Sequence, residues 1–251
     1  MSIENMAVLA DIHGNAAALD AVLEDARILG ADRFVNLGDS FYGPLDPAAT
    51  WRTLRALEAP SVMGNQDRIL LEDSADWRDV PAWNAARDAL GPDGLAWVAA
   101  LPATLTLDDV LLCHGTPADD LAYLLEDVAS GRPKLRGCRD ALARALPQAA
   151  GCSLVLAGHS HLQGSVSCDG LTLVNPGSVG LPAYNDDDPP HAMSGGSPHA
   201  RYAMVRRTPE GWDVEFRAVD YDWEAAARLA MANGRPDWAR WLASGVAETP
   251  S

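Results

Sequence analysis

MAVLADIHG, residues 6–14, joins a short apolar run to an acid, an imidazole and a glycine. Met6–Ala10 has the length and character of a buried strand. Asp11 and His13 follow with one residue between them, so a chain leaving that strand can aim both at one point. Gly14 allows a sharp turn. Asn15 then caps a helix with Ala18, Leu19, Val22, Leu23 and Ala26 at helical spacing, and Gly30 ends it.

The same arrangement recurs along the chain. Arg33–Leu37 is followed by Gly38-Asp39, and Ser61–Met63 by Gly64-Asn65-Gln66-Asp67. Val110–Cys113 is followed by His114-Gly115, and Leu154–Ala157 by Gly158-His159-Ser160-His161. In layered α/β folds, ligands sit beyond the carboxyl ends of the strands. Strands also hold side chains more rigidly than free loops do.

Each piece has a plainer reading. Asp-x-His alone is loop polarity, and Gly-Asp and Gly-Asn are common turn pairs. The conjunction decides, because four of the chain's six histidines fall at these strand ends. Two carboxylates, four imidazoles and one amide oxygen make a ligand set for two divalent ions rather than one. Nitrogen and oxygen donors without thiolate point to Mn, Fe, Zn or Co, and away from Ca or Mg alone. Two such ions, roughly 3.5–4 Å apart, can clamp a phosphate.

The remaining pattern predicts helices over 47–57, 136–146, 223–232 and 236–242, and a helical stretch within 72–101. Hairpins are expected at 104–113 and 165–174, around Asp108-Asp109 and Asp169-Gly170, with further strands at 202–205 and 214–219. The segment 184–199, with DDDPP and SGGSP, reads as a mobile loop, and His191 and His199 read as surface residues. No repeat or linker divides the chain, so one layered α/β domain over 1–251 is expected.

The net charge of −16 disfavours duplex nucleic acid and anionic membrane as partners. It does not exclude a small phosphate ester, because bound cations reverse the local sign. No apolar run is long enough to span a bilayer, and the N-terminus lacks the features of a secretion signal, so a cytoplasmic location is the default expectation. The four cysteines are widely spaced and read as reduced thiols.

In order and spacing, DIH (11–13), GD (38–39), GNQD (64–67), His114 and GHSH (158–161) resemble the metallophosphoesterase, or calcineurin-like phosphoesterase, superfamily. NPGSVG (175–180) and ARYAMV (200–205) are similar to the C-terminal part of its compact prokaryotic members. The resemblance implies a four-layer α-β-β-α sandwich of two mixed sheets flanked by helices. It implies two divalent ions, Mn first, with Fe, Zn, Co or Ni as alternatives. Asp11, His13 and His161 would hold one ion. Asn65, His114 and His159 would hold the other, with Asp39 between them. A metal-bound hydroxide would attack phosphorus in line with the leaving oxygen of a small phosphate-ester or nucleotide substrate. Asn65, Gln66 and Asp67 are the catalytic candidates. Asn175 and Ser178 read as turn residues, Arg68 as a solvated side chain, and Trp77, Trp83 and Trp97 as helix packing. Oligomeric state is not readable.

The departure from the family pattern is Gln66, which stands where the family has a histidine that assists the leaving group. An amide donates a hydrogen bond but carries no transferable proton. General acid catalysis is typically worth about 10²–10⁴ in rate. The expected enzyme therefore favours good leaving groups, as in phosphodiesters or activated esters. The other readings are a broad phosphomonoesterase, a dinucleoside polyphosphate hydrolase, or a non-catalytic scaffold such as the retromer subunit with this fold.

Overall fold

The computed structural model describes residues 5–250. The reading that no leader is present rests on residues 1–4 as well, which lie outside the described residues. The first half of the chain runs β1 (Asn5–Leu9), α1 (Ala16–Ile28), β2 (Arg33–Asn36), α2 (Pro47–Leu57), α3 (Asn65–Ile69), α4 (Ala75–Arg78) and α5 (Pro81–Ala99). Next come β3 (Thr104–Leu107), β4 (Val110–Cys113), β5 (Glu126–Asp127), β6 (Lys134–Leu135), α6 (Cys138–Ala145) and β7 (Leu154–Leu156). The chain continues through β8 (Gln163–Cys168), β9 (Leu171–Pro176), β10 (Ala183–Asp187) and β11 (Pro190–Ser194). It closes with β12 (Ala200–Thr208), β13 (Gly211–Val219), α7 (Trp223–Ala232) and α8 (Pro236–Ser244).

Two main sheets carry the fold, and both are mixed. The first has the order β13-β12-β1-β2, with β1 parallel to β2 and antiparallel to β12. The second has the order β3-β4-β7-β9-β8, parallel at its centre and antiparallel at both edges.

Alternation along β1 explains how they stack. Met6 and Val8 face a core shared with Val110, Leu112, Leu154 and Leu156 of the second sheet. Ala7 and Leu9 point the other way, into a core with residues of α1, α2 and α5. A strand's side chains alternate between faces, so one strand serves both layers. On the far side, Leu111, Val155 and Leu173 pack on Ala141 and Ala145 of α6. The layers are therefore helix, sheet, sheet, helix.

Local signals explain the elements that fix the site. Asn15 caps α1, its side chain accepting from the Ala18 amide at 3.2 Å, and the five apolar positions read from spacing are the buried ones. Asp46 caps α2 in the same way, with Pro47 at the first helical position, where its missing N–H costs nothing.

Three expectations are corrected. Ser61–Met63 is not a strand in its own right: Ser61 makes one isolated parallel bridge to Asn36, and the Met63 amide turns away to the Pro102 carbonyl. The segment 184–199, read as a loop, instead contains the β10–β11 hairpin. Its acidic residues face outward, while His191 and Met193, two apart on β11, are both fully buried. His191, expected at the surface, sits with Nδ1 at 2.6 Å from the Pro189 carbonyl and Nε2 at 2.8 Å from the Tyr123 hydroxyl. His199 stays near the surface, 3.0 Å from Asp220. Trp83 and Trp97 pack in the helix-side core, as expected. Arg68 keeps its side chain partly solvent-exposed, as expected, and pairs there with Asp120 and Glu72.

Candidate metal centre

Six of the seven ligand candidates follow strands of the two sheets, and the seventh opens a helix. Asp11 and His13 leave β1, and Asp39 leaves β2. His114 leaves β4, and His159 and His161 leave β7. Asn65 opens α3. The ligand atoms of Asp11, His13 and His161 lie within 4.8 Å of one another, and so do those of Asp11, Asp39 and His114. Asp11 is thus common to both groups.

The backbone marks the same residues independently. Eight non-glycine residues among those described have left-handed φ. Five of them are Asp11 (54°), His13 (51°), Asp39 (53°), His159 (71°) and His161 (60°). Such conformations cost about 1–3 kcal/mol each and persist where the surroundings over-determine them. The other three, Glu58, Asp108 and Asp169, sit at a helix end and two hairpin turns.

Hydrogen bonds fix which ring nitrogen faces the centre. His13 donates from Nδ1 to the Tyr42 carbonyl (3.1 Å), and His161 from Nδ1 to the Leu181 carbonyl (2.6 Å). Their Nε2 atoms then face each other at 3.1 Å as two lone pairs. His114 donates from Nδ1 to the Leu37 carbonyl (2.8 Å), leaving Nε2 against Asn65 Oδ1 (2.9 Å) and Asp39 Oδ2 (3.4 Å). His159 is turned the other way, donating from Nε2 to the Leu121 carbonyl (3.0 Å), which leaves Nδ1 as its free nitrogen. At the His13–His161 pair, two neutral rings would oppose acceptor to acceptor with both outward N–H groups committed, which fits a cation between them.

The charges are mutually dependent. Burial raises the Asp39 carboxyl, but His114 above all, with His13 and His159, pulls it far below the usual range. Burial likewise raises Asp11, and His161 and His114 outweigh it, so its carboxyl lies below the ordinary value. Burial pulls His114 down, but Asp39 and Asp11 push it up to about 10. Burial and neighbouring imidazoles lower His13 and His159 to about 4.

Supporting contacts hold these strained positions. Ser178 Oγ and the Gly180 amide both donate to the Asp11 carbonyl, at 2.8 and 3.0 Å. Asn175 donates to the Gly158 carbonyl and to Ser160 Oγ, beside the paired histidines. The turn reading of Asn175 and Ser178 is thus joined by a positioning one. Gly64 is required by proximity: a Cβ there would lie 2.2 Å from Asp39 Oδ1.

Gln66 and Asp67 separate in role. The Gln66 amide N–H donates to Asp39 Oδ1 at 2.8 Å, and its side chain lines the cavity with Oε1 buried and unpartnered. Asp67 is fully buried and is not part of the cavity wall. Its oxygens accept from the Ser40 amide (2.9 Å) and the Gly64 amide (3.2 Å), tying the Asp39 loop to the start of α3. Burial, then Asp39, pushes its carboxyl up to about 7. It is a positioning residue.

A cavity of about 590 Å³ opens beside the centre. Its wall includes Asp39, Asn65, Gln66, His159 and His161, and also Tyr123, Tyr184 and Trp238. Tyr123 stacks on His159 at 4.8 Å, and the Tyr184 hydroxyl donates to the His159 carbonyl at 3.0 Å. Sequence reading did not reach these aromatics. No spacing rule links Tyr123 to the strand ends, and Tyr184 was hidden in the segment read as loop.

A model of the calcineurin-like phosphoesterase superfamily domain matches residues 5–193, well over half of the chain. The chain belongs to the calcineurin-like phosphoesterase superfamily. That membership makes it a phosphoric ester hydrolase of a dinuclear, metal-dependent family. An uncharacterized protein of Methanocaldococcus jannaschii is 25% identical, over 93% of this chain and 94% of that one. The crystal structure of a metallophosphoesterase from Sphaerobacter thermophilus is similar at a TM-score of 0.72 and 24% identity, covering 98% of this chain and 100% of that one. A hypothetical protein from Pyrococcus horikoshii is similar at a TM-score of 0.77 and 19% identity, covering 97% and 99%. Both structures share the fold of two mixed sheets with flanking helices. Among the described residues of this phosphoesterase, no helix is long and apolar enough to cross a membrane.

Proposed function

We propose that the chain hydrolyses phosphodiesters or activated phosphate esters, small or nucleotide-like, and favours good leaving groups. The observation that carries this reading is Gln66, whose side chain lines the cavity beside Asp39 at the position of the family histidine. Asp11, His13 and His161 would hold one divalent ion, and Asn65, His114 and His159 the other, and Asp39 would be shared between them. Mn is the first choice, ahead of Fe, Zn, Co or Ni. Such ions would supply Lewis-acid polarisation of the phosphoryl oxygens and activation of water at neutral pH.

The protein's own groups orient and restrain. Asn65 stands at the cavity wall next to His114, within reach of a phosphoryl oxygen. The Gln66 amide can hydrogen-bond a phosphoryl oxygen but gives no proton to the departing one. Tyr123 and Tyr184 keep His159 in place. With carboxylates throughout, the site has little to attract duplex nucleic acid, and a cytoplasmic small ester is the substrate class it suits. The scaffold reading is disfavoured because every ligand position carries a metal-capable side chain.

The test is a Mn²⁺-supplemented panel of phosphodiesters, aryl and alkyl monoesters and dinucleoside polyphosphates, with Asp39→Asn as the inactive control. Rates should fall steeply as the leaving-group pKa rises. Alkyl phosphates cleaved as fast as aryl esters would overturn the preference.

A further inference from the structure

Beyond the ligands, the cavity wall has a composition of its own. It carries Tyr42, Tyr123, Tyr184, Trp238 and Trp241, from the loop after β2, the loop before β5, the β10–β11 hairpin and α8. Arg235 is the one cation lining it among the described residues, and it is already engaged. Its Nε and Nη2 donate to Asp237 at 2.6–3.1 Å, and its guanidinium lies 5.1 Å from the Trp238 ring centre. Asp186 and Asp188 stand exposed at the hairpin end of the same wall, with no basic partner among the described residues.

Two consequences follow. Further out, the one cation on this wall among the described residues, Arg235, is already paired with Asp237, and an additional phosphate there would also meet the carboxylates of Asp186 and Asp188. A flat ring would meet aromatic side chains instead. The volume falls within the range of about 300–1,000 Å³ typical of small-molecule sites. Stacking of a base on an aromatic side chain is worth about 5- to 150-fold in affinity.

We propose that this cavity is a subsite for the planar, uncharged ring of a substrate that carries a single phosphate, and that Asp186 and Asp188 exclude esters bearing further phosphates. The inference rests on the phosphoesterase reading only for where the phosphate sits. Nucleobases and simple aryl groups share the required chemistry, and the experiment separates them.

Line broadening of ligand protons in NMR, with metal-free protein, tests the ring site without turnover. The probes are adenosine, phenol, ribose, AMP and ADP. Broadening of adenosine without phenol assigns the subsite to a nucleobase, and broadening of phenol without adenosine assigns it to a simple aryl group. Both broadening assigns it to flat rings in general. Neither broadening, or ribose broadening as much as adenosine, overturns the proposal. Trp241→Ala should weaken ring binding about tenfold. Because Trp241 also packs in the α7–α8 cluster, a second variant is independent of folding. The exposed pair Asp186→Asn/Asp188→Asn should leave adenosine binding unchanged and strengthen ADP severalfold, more than AMP. Equal effects on all three would remove the charge filter. Turnover of bis(4-nitrophenyl) phosphate with Mn²⁺ reports separately on the phosphoesterase reading.

Discussion

His13 and His161 meet Nε2 to Nε2 at 3.1 Å, each with its other ring nitrogen committed to a carbonyl oxygen. In their neutral forms neither has a proton to offer the other. A divalent ion resolves the opposition, so chelator-treated protein should gain stability on adding Mn²⁺. At free metal of about 100 times Kd the gain is about 2.7 kcal/mol, read as a rise in Tm. His161→Ala should lose most of that rise and bind less metal by elemental analysis. An unchanged Tm in the parent protein would contradict the assignment.

Metal binding should also release a proton. Burial lowers His114, but Asp39 lifts it to about 10, well above the unfolded value of about 6.5. Its charged form therefore stabilises the metal-free fold fully below the unfolded value, and that contribution is lost as pH rises through about 10. An ion ligated by His114 Nε2 must displace that proton. Affinity should climb about tenfold per pH unit from near neutrality up to the His114 pKa. Calorimetry in buffers of different ionisation heat should find about one proton released near pH 8. Asp39→Asn should abolish the release along with most of the affinity.

Gly64→Ala presses on the centre through Asp39. Gly64 has φ −88°, which alanine accepts, yet its Cβ would fall 2.2 Å from Asp39 Oδ1. It would also fall 2.3 Å from the Asp39 backbone nitrogen, so the carboxylate and the loop that carries it both have to move. Metal affinity should drop by about tenfold or more, and the Tm of the metal-free protein should fall with it, by about 2–4 °C for each kcal/mol lost. A titration showing parent-like affinity would mean that Asp39 tolerates the displacement.

Gln66→His restores a proton donor at the cavity wall. It should raise turnover of alkyl esters by about 10²-fold or more, since general acid catalysis is worth about 10²–10⁴, and change aryl esters little. Rates measured across leaving groups of graded pKa should flatten in the variant. Equal gains on all substrates would assign Gln66 a role in positioning rather than in the missing protonation.

The site was legible because each ligand follows an apolar strand or a glycine, and periodicity finds strands. The same logic located α1 and its five buried residues. It failed where local chemistry mimics something else. Asp186-Asp187-Asp188 carries the polarity of a loop, so the hairpin escaped notice, although His191 and Met193 already stood two apart, as inward strand residues do. Ser61–Met63 had the composition of a strand without the length of partner to complete it. Tyr123, Trp238 and Trp241 reach the cavity through tertiary packing, which no spacing along the chain encodes. The left-handed backbone at five of the ligand candidates is only faintly encoded, since Asp and His are enriched there but most of them adopt ordinary φ.

The ligand candidates end at His161, and the family match ends at residue 193. Arg235, Trp238 and Trp241, which close the cavity, come later. The family match thus takes in every ligand candidate, while part of the cavity wall lies on a helix beyond it. Relatives could exchange that terminal helix and acquire new substrates while leaving every metal ligand untouched.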